Sequence, residues 1–420
     1  MIWLVERKMT ETNLPPRGVV FWPVGTGDST TVVVDDEHVL QVDLRDMALA
    51  DEPDSVHAQV IDQLAEVLPE RDGAPYLSVF ALTHADQDHC TGFGDLLDSE
   101  IVIGELWATP RLWREFTEDA PAMCVDAKRF HEEANRRVDA ILAHIAADRP
   151  VPSGDMIRVI GYDQDQSSDL TAPDYSYAGL PEEYFSFPGQ VITTMDGDDV
   201  SDRFEAFVHA PFKGDCAAAR NDTSLALRIT LTEGSTIGRI LLMGDLAYAT
   251  ISRIFDISDA DAVAWDVLPA PHHCSKKVMY APGDDGEEEL KRDIMDALEN
   301  AAGPGAYIVA SSQPFPPADK PGANPPHLAA KQRYQEIIDA DHFLCTQEHG
   351  GEEDPRPIVF ALGSGGLTLV TEDEVDESGG VSRLAKVAAG AISLAAAQRQ
   401  VKRARGTDAA PAKAVGFGQR

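Results

Sequence analysis

The sequence has few of the features that mark secreted, membrane-spanning or nucleic-acid-coating proteins. Its five cysteines include no CxxC pair, and a sparse, odd-numbered set suits a reducing cytoplasm better than a disulfide framework. No run approaches the roughly 20 consecutive apolar residues that a membrane helix needs, so we expect a cytoplasmic protein with no membrane contact. Basic residues are outnumbered by acidic ones, 35 to 71, and the net charge of −36 argues against a broad electrostatic grip on nucleic acid.

Composition and pattern divide the chain into three parts. Residues 1–16 are expected to be a disordered leader. Residues 17–380 alternate strand-like and helix-like segments, which predicts helices layered over mixed sheets. Within this part, 106–208 is longer and less regular, and we expect it to be an inserted cap of helix and loop. Residues 381–420 carry eight Lys and Arg against one Asp, so we expect a basic, partly helical tail that can contact a partner.

Hydrophobic periodicity predicts individual elements inside the large middle part. The runs at 76–83, 224–231 and 238–245 are apolar and rich in β-branched residues, which indicates buried strands. Segments 121–148 and 287–301 have apolar residues at helical spacing and predict amphipathic helices.

The stretch VFALTHADQDHCTGF, residues 79–93, joins a buried strand to a cluster of polar groups. His84, Asp86, Asp88 and His89 follow the strand within six positions. Imidazole and carboxylate are the ligands that Zn²⁺ and similar first-row metals prefer, and strand ends are where α/β proteins place their chemistry. A solvated acidic turn with two incidental histidines is the alternative.

Three further apolar runs end in the same residue types. Asp245 follows the run LLMG, the pair His272 and His273 follows VLPAP, and His209 lies in AFVHAP. Since the chain has only 12 histidines, this recurrence favours a shared metal centre over separate surface residues.

An ordered set of motifs resembles the metallo-β-lactamase superfamily, most closely the hydrolase domain of bacterial competence DNA-uptake channel proteins and their soluble relatives. The resemblance spans about residues 18–371 and implies an αββα sandwich of α/β class. The chain departs from the pattern in three motifs: Leu44-Arg45 replaces a small-residue turn, Cys274 replaces a glycine, and Asn324 lies one residue closer to His327. The motifs are VGTGD (24–28), VDLR (42–45), THADQDHCTG (83–92), NDTS (221–224), LMGD (242–245), HHCS (272–275) and NPPH (324–327).

The resemblance implies two divalent metal ions, with Zn²⁺ expected first and Mn²⁺ as the alternative. The first ion would be held by His84, Asp86 and His209, and Asp245 would bridge both ions. The second would be held by Asp88, His89 and one of the paired histidines, for which we take His272. Neighbouring side chains of an extended segment face opposite ways, so His273 would instead contact substrate, although the choice within the pair stays open. Asp43 would orient a ligand imidazole through a hydrogen bond.

The implied activity is hydrolysis by a hydroxide formed between the two ions. The resemblance favours a phosphodiester, of a nucleotide or a nucleic acid, as substrate, and the acidic composition makes a small nucleotide at least as suitable as duplex DNA. Asp88 is a candidate to pass a proton to the leaving group, and His327 is a candidate to bind or protonate it. Hydrolysis of a lactone, thioester or β-lactam carbonyl is the first alternative. A binding or regulatory module without catalysis is the second. The sequence does not indicate an oligomeric state.

Overall fold

A computed structural model describes residues 14–371, except 53, 120–121, 163–175, 216–218 and 284. The expected basic tail and nearly all of the expected leader lie outside the described residues. Within the described ranges, the helices are all too short or too polar to cross a bilayer.

Strands make up most of the regular structure. They are β1 (Gly18–Phe21), β2 (Thr30–Val33), β3 (Val39–Val42), β4 (Glu70–Arg71), β5 (Ala74–Ala81), β6 (Val102–Ala108), β7 (Met156–Ile160), β8 (Phe185–Ser186), β9 (Val191–Ile192), β10 (Thr194–Met195), β11 (Asp198–Asp199), β12 (Phe204–Ala210), β13 (Ala226–Glu233), β14 (Thr236–Leu242), β15 (Trp265–Pro269), β16 (Tyr280–Pro282), β17 (Glu288–Leu290), β18 (Ala302–Ala310), β19 (Phe343–Cys345), β20 (Ile358–Gly363) and β21 (Gly366–Leu369).

Helices connect these strands. The α-helices are α1 (Val60–Val67), α2 (Gln87–Cys90), α3 (Phe93–Leu97), α4 (Arg111–Asp119), α5 (Val125–Ala146), α6 (Tyr248–Ile257), α7 (Ala260–Val263), α8 (Arg292–Ala301) and α9 (Leu328–Tyr334). Short 3-10 helices lie at Ala48–Asp51, Ser176–Gly179, Glu182–Tyr184, Lys213–Asp215, Asn221–Thr223, Lys276–Val278 and Ala340–His342.

Two mixed β-sheets form the centre of the fold. The larger has the order β21-β20-β1-β2-β3-β5-β6-β7-β8, with β4 paired to β5, and the smaller has the order β19-β18-β15-β14-β13-β12-β9. Each sheet combines antiparallel hairpins with parallel strands: β3, β5, β6 and β7 run parallel, as do β14, β15, β18 and β19. The parallel strands of each sheet place their carboxyl ends together, which brings distant segments of the chain to one edge.

The two sheets pack face to face between two helical layers. Alternation along β1 directs Val19 and Phe21 into the space between the sheets, while Val20 and Trp22 join the outer core that contains α1, α3 and α5. In the smaller sheet, Ile240 faces the inner core and Leu241 faces the outer core, where α6, α8 and α9 pack. This four-layer arrangement confirms the expected αββα sandwich.

The expected inserted cap at 106–208 is not a separate structure. This block supplies β7 and β8 to the larger sheet and β9 and β12 to the smaller one. Its long helix, α5, packs on the outer face of the larger sheet through residues such as Phe130 and Ile141. Sequence analysis indicates only loops with short strands at 155–203, because strands such as β8 and β9 are two residues long and owe their formation to pairing with neighbouring strands.

Most of the expected helices and strands are present, with shifted ends. Helix α5 (Val125–Ala146) lies within the segment predicted at 121–148, and its first turn is capped by Cys124, whose side chain accepts a hydrogen bond from the Ala127 amide. Helix α8 begins at Arg292 rather than at 287, because Glu288–Leu290 pair with Tyr280–Pro282 instead.

Candidate metal centre

Strand ends from both sheets bring the sequence-predicted motifs to one place. Asp43 directly follows β3, and the segment His84–His89 follows β5 in the larger sheet. Asp245 follows β14, and the His272–His273 pair follows β15, in the smaller sheet. We call the group of Asp28, His84, Asp86, Asp88, His89, Asp245, His272 and His273 the central cluster.

The carboxylate of Asp245 lies in the middle of the central cluster and faces imidazoles on both of its oxygens. Its Oδ1 lies 3.2 Å from His89 Nε2 and 3.4 Å from His273 Nε2. Its Oδ2 lies 3.8 Å from His84 Nε2 and 3.6 Å from His272 Nε2. The side chain is 3% exposed. One buried carboxylate therefore separates two pairs of imidazoles, which suits a bridging ligand between two cations.

Asp28 is a further member of the central cluster, and sequence analysis assigns it no role. One ligand atom from each of Asp28, His89, Asp245 and His273 lies within 4.8 Å of the others. Asp28 Oδ1 is 3.7 Å from His273 Nδ1, and the Asp28 amide donates to the Asp88 carbonyl at 3.1 Å. The motif VGTGD contained the signal, because its aspartate follows a glycine turn between β1 and β2 that points to the same edge of the sheet.

Asp43 holds His89 in a fixed orientation, in the position expected for it. Asp43 Oδ2 lies 2.7 Å from His89 Nδ1, and the Thr83 amide and hydroxyl each donate to the Asp43 carboxylate at 2.7 Å. The carboxylate is 1% exposed and has partners on both oxygens. With Nδ1–H donated to Asp43, Nε2 of His89 presents its lone pair to the centre of the cluster.

Hydroxyl and amide groups position two further members. Ser224 Oγ lies 3.3 Å from His84 Nδ1 and accepts a hydrogen bond from the Asp245 amide at 3.3 Å. The Asn221 amide group donates to Asp245 Oδ2 at 2.9 Å. The motif NDTS (221–224) thus supports the cluster from behind.

His272 and His273 lie in a left-handed turn rather than in an extended segment. Their φ/ψ angles are 52°/47° and 53°/42°, and Cys274 continues the turn with φ of 62°. The His272 amide donates to the Gly244 carbonyl at 2.9 Å, which ties the turn to the Asp245 loop. Because the backbone is not extended, the two rings do not face opposite ways, and each approaches a different oxygen of Asp245. The extended geometry assumed from the sequence is therefore wrong.

Asp86 and Asp88 differ in their surroundings. Asp86 Oδ2 lies 3.5 Å from His84 Nε2, while Oδ1 accepts a hydrogen bond from Arg220, which also pairs with Glu115 at 2.5 Å. Asp88 Oδ2 lies 3.3 Å from His273 Nε2, and its side chain is 36% exposed, the most of the four carboxylates in the cluster. Asp88 is thus the carboxylate best placed to meet a substrate.

The electrostatics of the cluster favour a cation at its centre. Burial alone would lower the pKa of His273, but the charges of Asp245 and Asp28 outweigh burial and raise the pKa to about 10. Burial also acts to lower the pKa of His89. The charges of Asp245 and Asp43 more than offset this effect, and the pKa of His89 lies well above its usual value. Burial acts to raise the pKa of Asp245, but the charges of His273 and His89 lower it more strongly. The pKa of Asp245 therefore lies well below its ordinary range. Without a cation, protons on the imidazoles neutralise the negative charge of the buried carboxylates. A bound cation would neutralise the same charge in their place.

Orphaned polar atoms provide a test of the fit to metal ions. Among the described residues, four buried atoms of the cluster have no hydrogen-bond partner: His84 Nε2, Asp245 Oδ1, His272 Nδ1 and His273 Nδ1. Buried polar atoms normally have partners, so this concentration at one point needs an explanation. Imidazole nitrogens and carboxylate oxygens are the donors that Zn²⁺ and Mn²⁺ accept, and the residues present therefore fit a metal centre.

His209 does not join the cluster. Its Nε2 lies 2.9 Å from the Ala262 carbonyl and its Nδ1 lies 3.3 Å from Ser258 Oγ, so both ring nitrogens have partners in the outer helical layer. Phe204, Ala206 and Val208 on β12 face the inner core, and the alternation of a strand turns His209 to the opposite side. The structure therefore contradicts its placement at the first ion.

His327 lies behind the left-handed turn rather than in the cluster. Its Nδ1 accepts a hydrogen bond from the Lys276 amide at 3.3 Å, and its Nε2 lies 3.1 Å from the Ala323 carbonyl. Its own amide donates to the Cys274 carbonyl at 3.1 Å. With both nitrogens engaged and the ring 4% exposed, His327 is a structural residue, and its expected role at a leaving group is not supported.

The two cysteines next to cluster residues serve packing. Cys90 Sγ lies 3.1 Å from the Asp86 carbonyl and 3.5 Å from Cys124 Sγ, on the side facing α5. Cys274 is fully buried in the outer core of the smaller sheet.

Comparisons with known proteins find similarity in structure and not in sequence. No protein-family model and no curated protein matches the chain. The subclass B3 metallo-β-lactamase MEM-A1, from a soil metagenome library, is 10% identical, covering 61% of this chain and 77% of its own with a TM-score of 0.30. BJP-1, a subclass B3 enzyme of Bradyrhizobium japonicum, is 14% identical, covering 62% and 79% with a TM-score of 0.27. LRA-12, a class B3 di-zinc metallo-β-lactamase from an Alaskan soil metagenome, is 9% identical, covering 72% and 95% with a TM-score of 0.26.

Proposed function

We propose that this protein is a metal-dependent hydrolase that uses two divalent cations to cleave a phosphodiester. The observation that carries the proposal is the position of Asp245, whose two oxygens each face a different pair of imidazoles. The further carboxylates Asp28, Asp86 and Asp88 complete a donor set large enough for two ions. Zn²⁺ is the cation expected first, and the high share of carboxylate oxygens also suits Mn²⁺.

The side chains divide into two groups around Asp245. His84, His272 and Asp86 would hold one cation on the side of Oδ2. His89, His273, Asp88 and Asp28 would hold the other on the side of Oδ1. When bound, such a pair of cations supplies Lewis acidity toward a phosphoryl oxygen and lowers the pKa of a water molecule.

The protein's own groups prepare this chemistry. Asp43 fixes the tautomer of His89, and Asn221 holds the Asp245 carboxylate in place. Arg220 keeps one oxygen of Asp86 turned toward Glu115, leaving the other for the centre. Burial raises the pKa of Asp88, but the neighbouring His273 and His89 charges hold it below its usual value, so Asp88 is an anion at neutral pH. An ionised Asp88 serves as a ligand or proton acceptor and not as an acid.

A small nucleotide-like ester fits the charge of the protein better than a long nucleic acid does. The chain has a net charge of −36, which repels an extended polyanion unless a basic surface offsets it. The basic tail at 381–420, expected to contact a partner, lies outside the described residues. Its partner and a cytoplasmic location stay predictions from the sequence.

The test combines metal analysis with turnover. Protein reconstituted with Zn²⁺, Mn²⁺ or Co²⁺ is expected to hold two ions per chain by elemental analysis and to hydrolyse bis-p-nitrophenyl phosphate. Asp245→Asn keeps the shape of the side chain but loses the charge shared by both cations, so we expect less than one ion per chain and a loss of turnover of at least about 10³-fold.

Asp196→Asn is the matched control. Asp196 is also a buried aspartate, hydrogen-bonded to Tyr76 and Arg71 and remote from the cluster, and its variant is expected to keep both metal ions. If metal-loaded protein hydrolyses a lactone or nitrocefin but no phosphodiester, a carbonyl substrate would replace the phosphodiester as the substrate class. Fewer than one ion per chain in wild-type protein, with no change in Asp245→Asn, would refute the metal centre itself.

A further inference from the structure

Arg45 lies beside the half of the central cluster formed by Asp28 and Asp88, and nothing so far gives it a role. Its backbone is held on both sides: the Leu44 amide donates to the His89 carbonyl at 2.8 Å, and the Asp46 amide donates to the Thr91 carbonyl at 2.9 Å. The segment that carries Arg45 therefore runs along the segment that carries the predicted ligands and is as well fixed as they are.

The side chain of Arg45 passes over Gly27. A Cβ built on Gly27 would overlap Arg45 Cδ and come within 3.0 Å of Arg45 Nη1. Only a residue without a side chain leaves room for this path, so the glycine turn of VGTGD and the arginine fit together. The arginine is half-buried, and its stem lies close to the Gly27 backbone.

The guanidinium of Arg45 has charges around it but no partner. Among the residues that the structure describes, none accepts a hydrogen bond from it or forms an ion pair with it within 4.0 Å. Burial lowers the pKa of Arg45, and the charges of Asp88 and Asp28 act in the opposite direction. Burial, and after it the Arg45 charge, lower the pKa of the nearby His57.

Two other cations near the cluster are already paired, while Lys277, whose charge acts on His272 on the opposite side of Asp245 from Asp28, is an exposed side chain. Arg220 binds Asp86 and Glu115, and Lys276 binds Glu288 at 2.6 Å. A cation bound by Asp28 and Asp88 would cancel the negative charge that faces Arg45. The guanidinium would then lie next to the reaction centre with five N–H donors and no counter-charge.

We propose that Arg45 binds the anionic oxygens of the substrate's phosphate group and so determines specificity for phosphate esters over neutral esters. The inference rests on the proposed function, because it assigns the substrate contact of the same site. A guanidinium presents parallel N–H donors that match two oxygens of one phosphate, which a lysine ammonium cannot do.

The experiment measures phosphate binding without relying on turnover. Inorganic phosphate is titrated calorimetrically into metal-loaded wild-type protein and into Arg45→Gln, Arg45→Lys and Arg129→Gln variants. Arg129 is an exposed arginine paired with Asp98, and its variant controls for the change in net charge. We expect Arg45→Gln to weaken phosphate binding by about 10- to 100-fold, Arg45→Lys to fall in between, and Arg129→Gln to match wild type.

Metal content of the same samples separates substrate contact from structural support. Because Arg45 is a positive charge near a cation site, its removal is expected to leave both metal ions bound or to tighten them. For bis-p-nitrophenyl phosphate, the effect should fall mainly on KM, while any neutral ester that is hydrolysed should be unaffected.

Each result decides the proposal. Unchanged phosphate affinity in Arg45→Gln, or loss of metal ions from it, would overturn the assignment even if the protein is a phosphodiesterase. Arg45-dependent phosphate binding by a protein that hydrolyses no phosphodiester would support the assignment and refute the proposed function instead.

Discussion

Replacing Asp43 by asparagine tests how far the centre depends on the orientation of one imidazole. The Asp43 carboxylate accepts from the Thr83 amide, the Thr83 hydroxyl and His89 Nδ1, all at 2.7 Å. In Asp43→Asn, the Oδ1 position can still accept from the Thr83 amide. The new NH₂ group would then face two donors at the other position, so His89 must rotate or change tautomer.

The size of the effect follows from this geometry. Loss of a hydrogen-bonding partner behind a ligand histidine costs about 10- to 100-fold in metal affinity, or roughly 1.4–2.7 kcal/mol. The loss of affinity should fall on the ion next to His89. At a free metal concentration just sufficient to fill both sites of the wild type, the number of ions bound per chain should therefore drop from two toward one. We expect the ion held by His84 and His272 to remain, since neither contacts Asp43.

The assay is competition for Zn²⁺ against a chromophoric chelator, with elemental analysis of the dialysed protein. Asp35→Asn is the matched control, because Asp35 Oδ1 contacts Nδ1 of the buried His38 at 2.8 Å in a similar pair away from the cluster. Equal metal affinity in Asp43→Asn and wild type would refute the reasoning, and so would an equal loss in Asp35→Asn.

Two further predictions concern histidines that the structure removes from the reaction. Burial lowers the pKa of His209 to about 4, below its unfolded value, so stability is complete above pH 6.5 and falls as the pH drops toward 4. Between pH 7.5 and 5, urea unfolding of metal-free His209→Gln should lose about 2 kcal/mol less than wild type, and an equal loss in both would contradict the assignment. His327→Gln should lower the free energy of unfolding by roughly 1–2 kcal/mol through the Lys276 and Ala323 contacts, yet keep the wild-type pH profile of kcat/KM. Loss of the basic limb of that profile would restore His327 as a proton donor.

The sequence predicts which strand ends form the candidate metal centre better than it predicts which residues belong to it. Strands such as β5 and β14 are long apolar runs, and their composition is enough to predict that they are buried. The residues that follow these two strands lie in the central cluster. Sequence alone does not identify Asp28 as a cluster member, because its approach to His273 depends on how the β1–β2 turn packs against a segment about 245 residues away. No local pattern encodes that distance.

The strand pattern around His209 itself argues against a ligand role for this residue. In FEAFVHA, the apolar residues Phe204, Ala206 and Val208 alternate, and this pattern alone places His209 on the other face of the strand. The geometry of the His272–His273 pair was not accessible in the same way. Three successive residues with side chains and positive φ have no sequence signature, since glycine is the residue normally found there.

That turn links two parts of the molecule that share no chemistry. Left-handed backbone costs a residue with a Cβ roughly 1–2 kcal/mol, so the segment His272–Cys274 persists only because its surroundings restrain it. One restraint is the hydrogen bond from the His327 amide to the Cys274 carbonyl, at the end of a proline-rich loop. The positions of two imidazoles therefore depend in part on a loop that lies outside the central cluster. Any event that loosens this loop, whether a substitution, heat or a bound partner, would remove one restraint from both imidazoles together, so we expect it to weaken metal binding without touching a ligand.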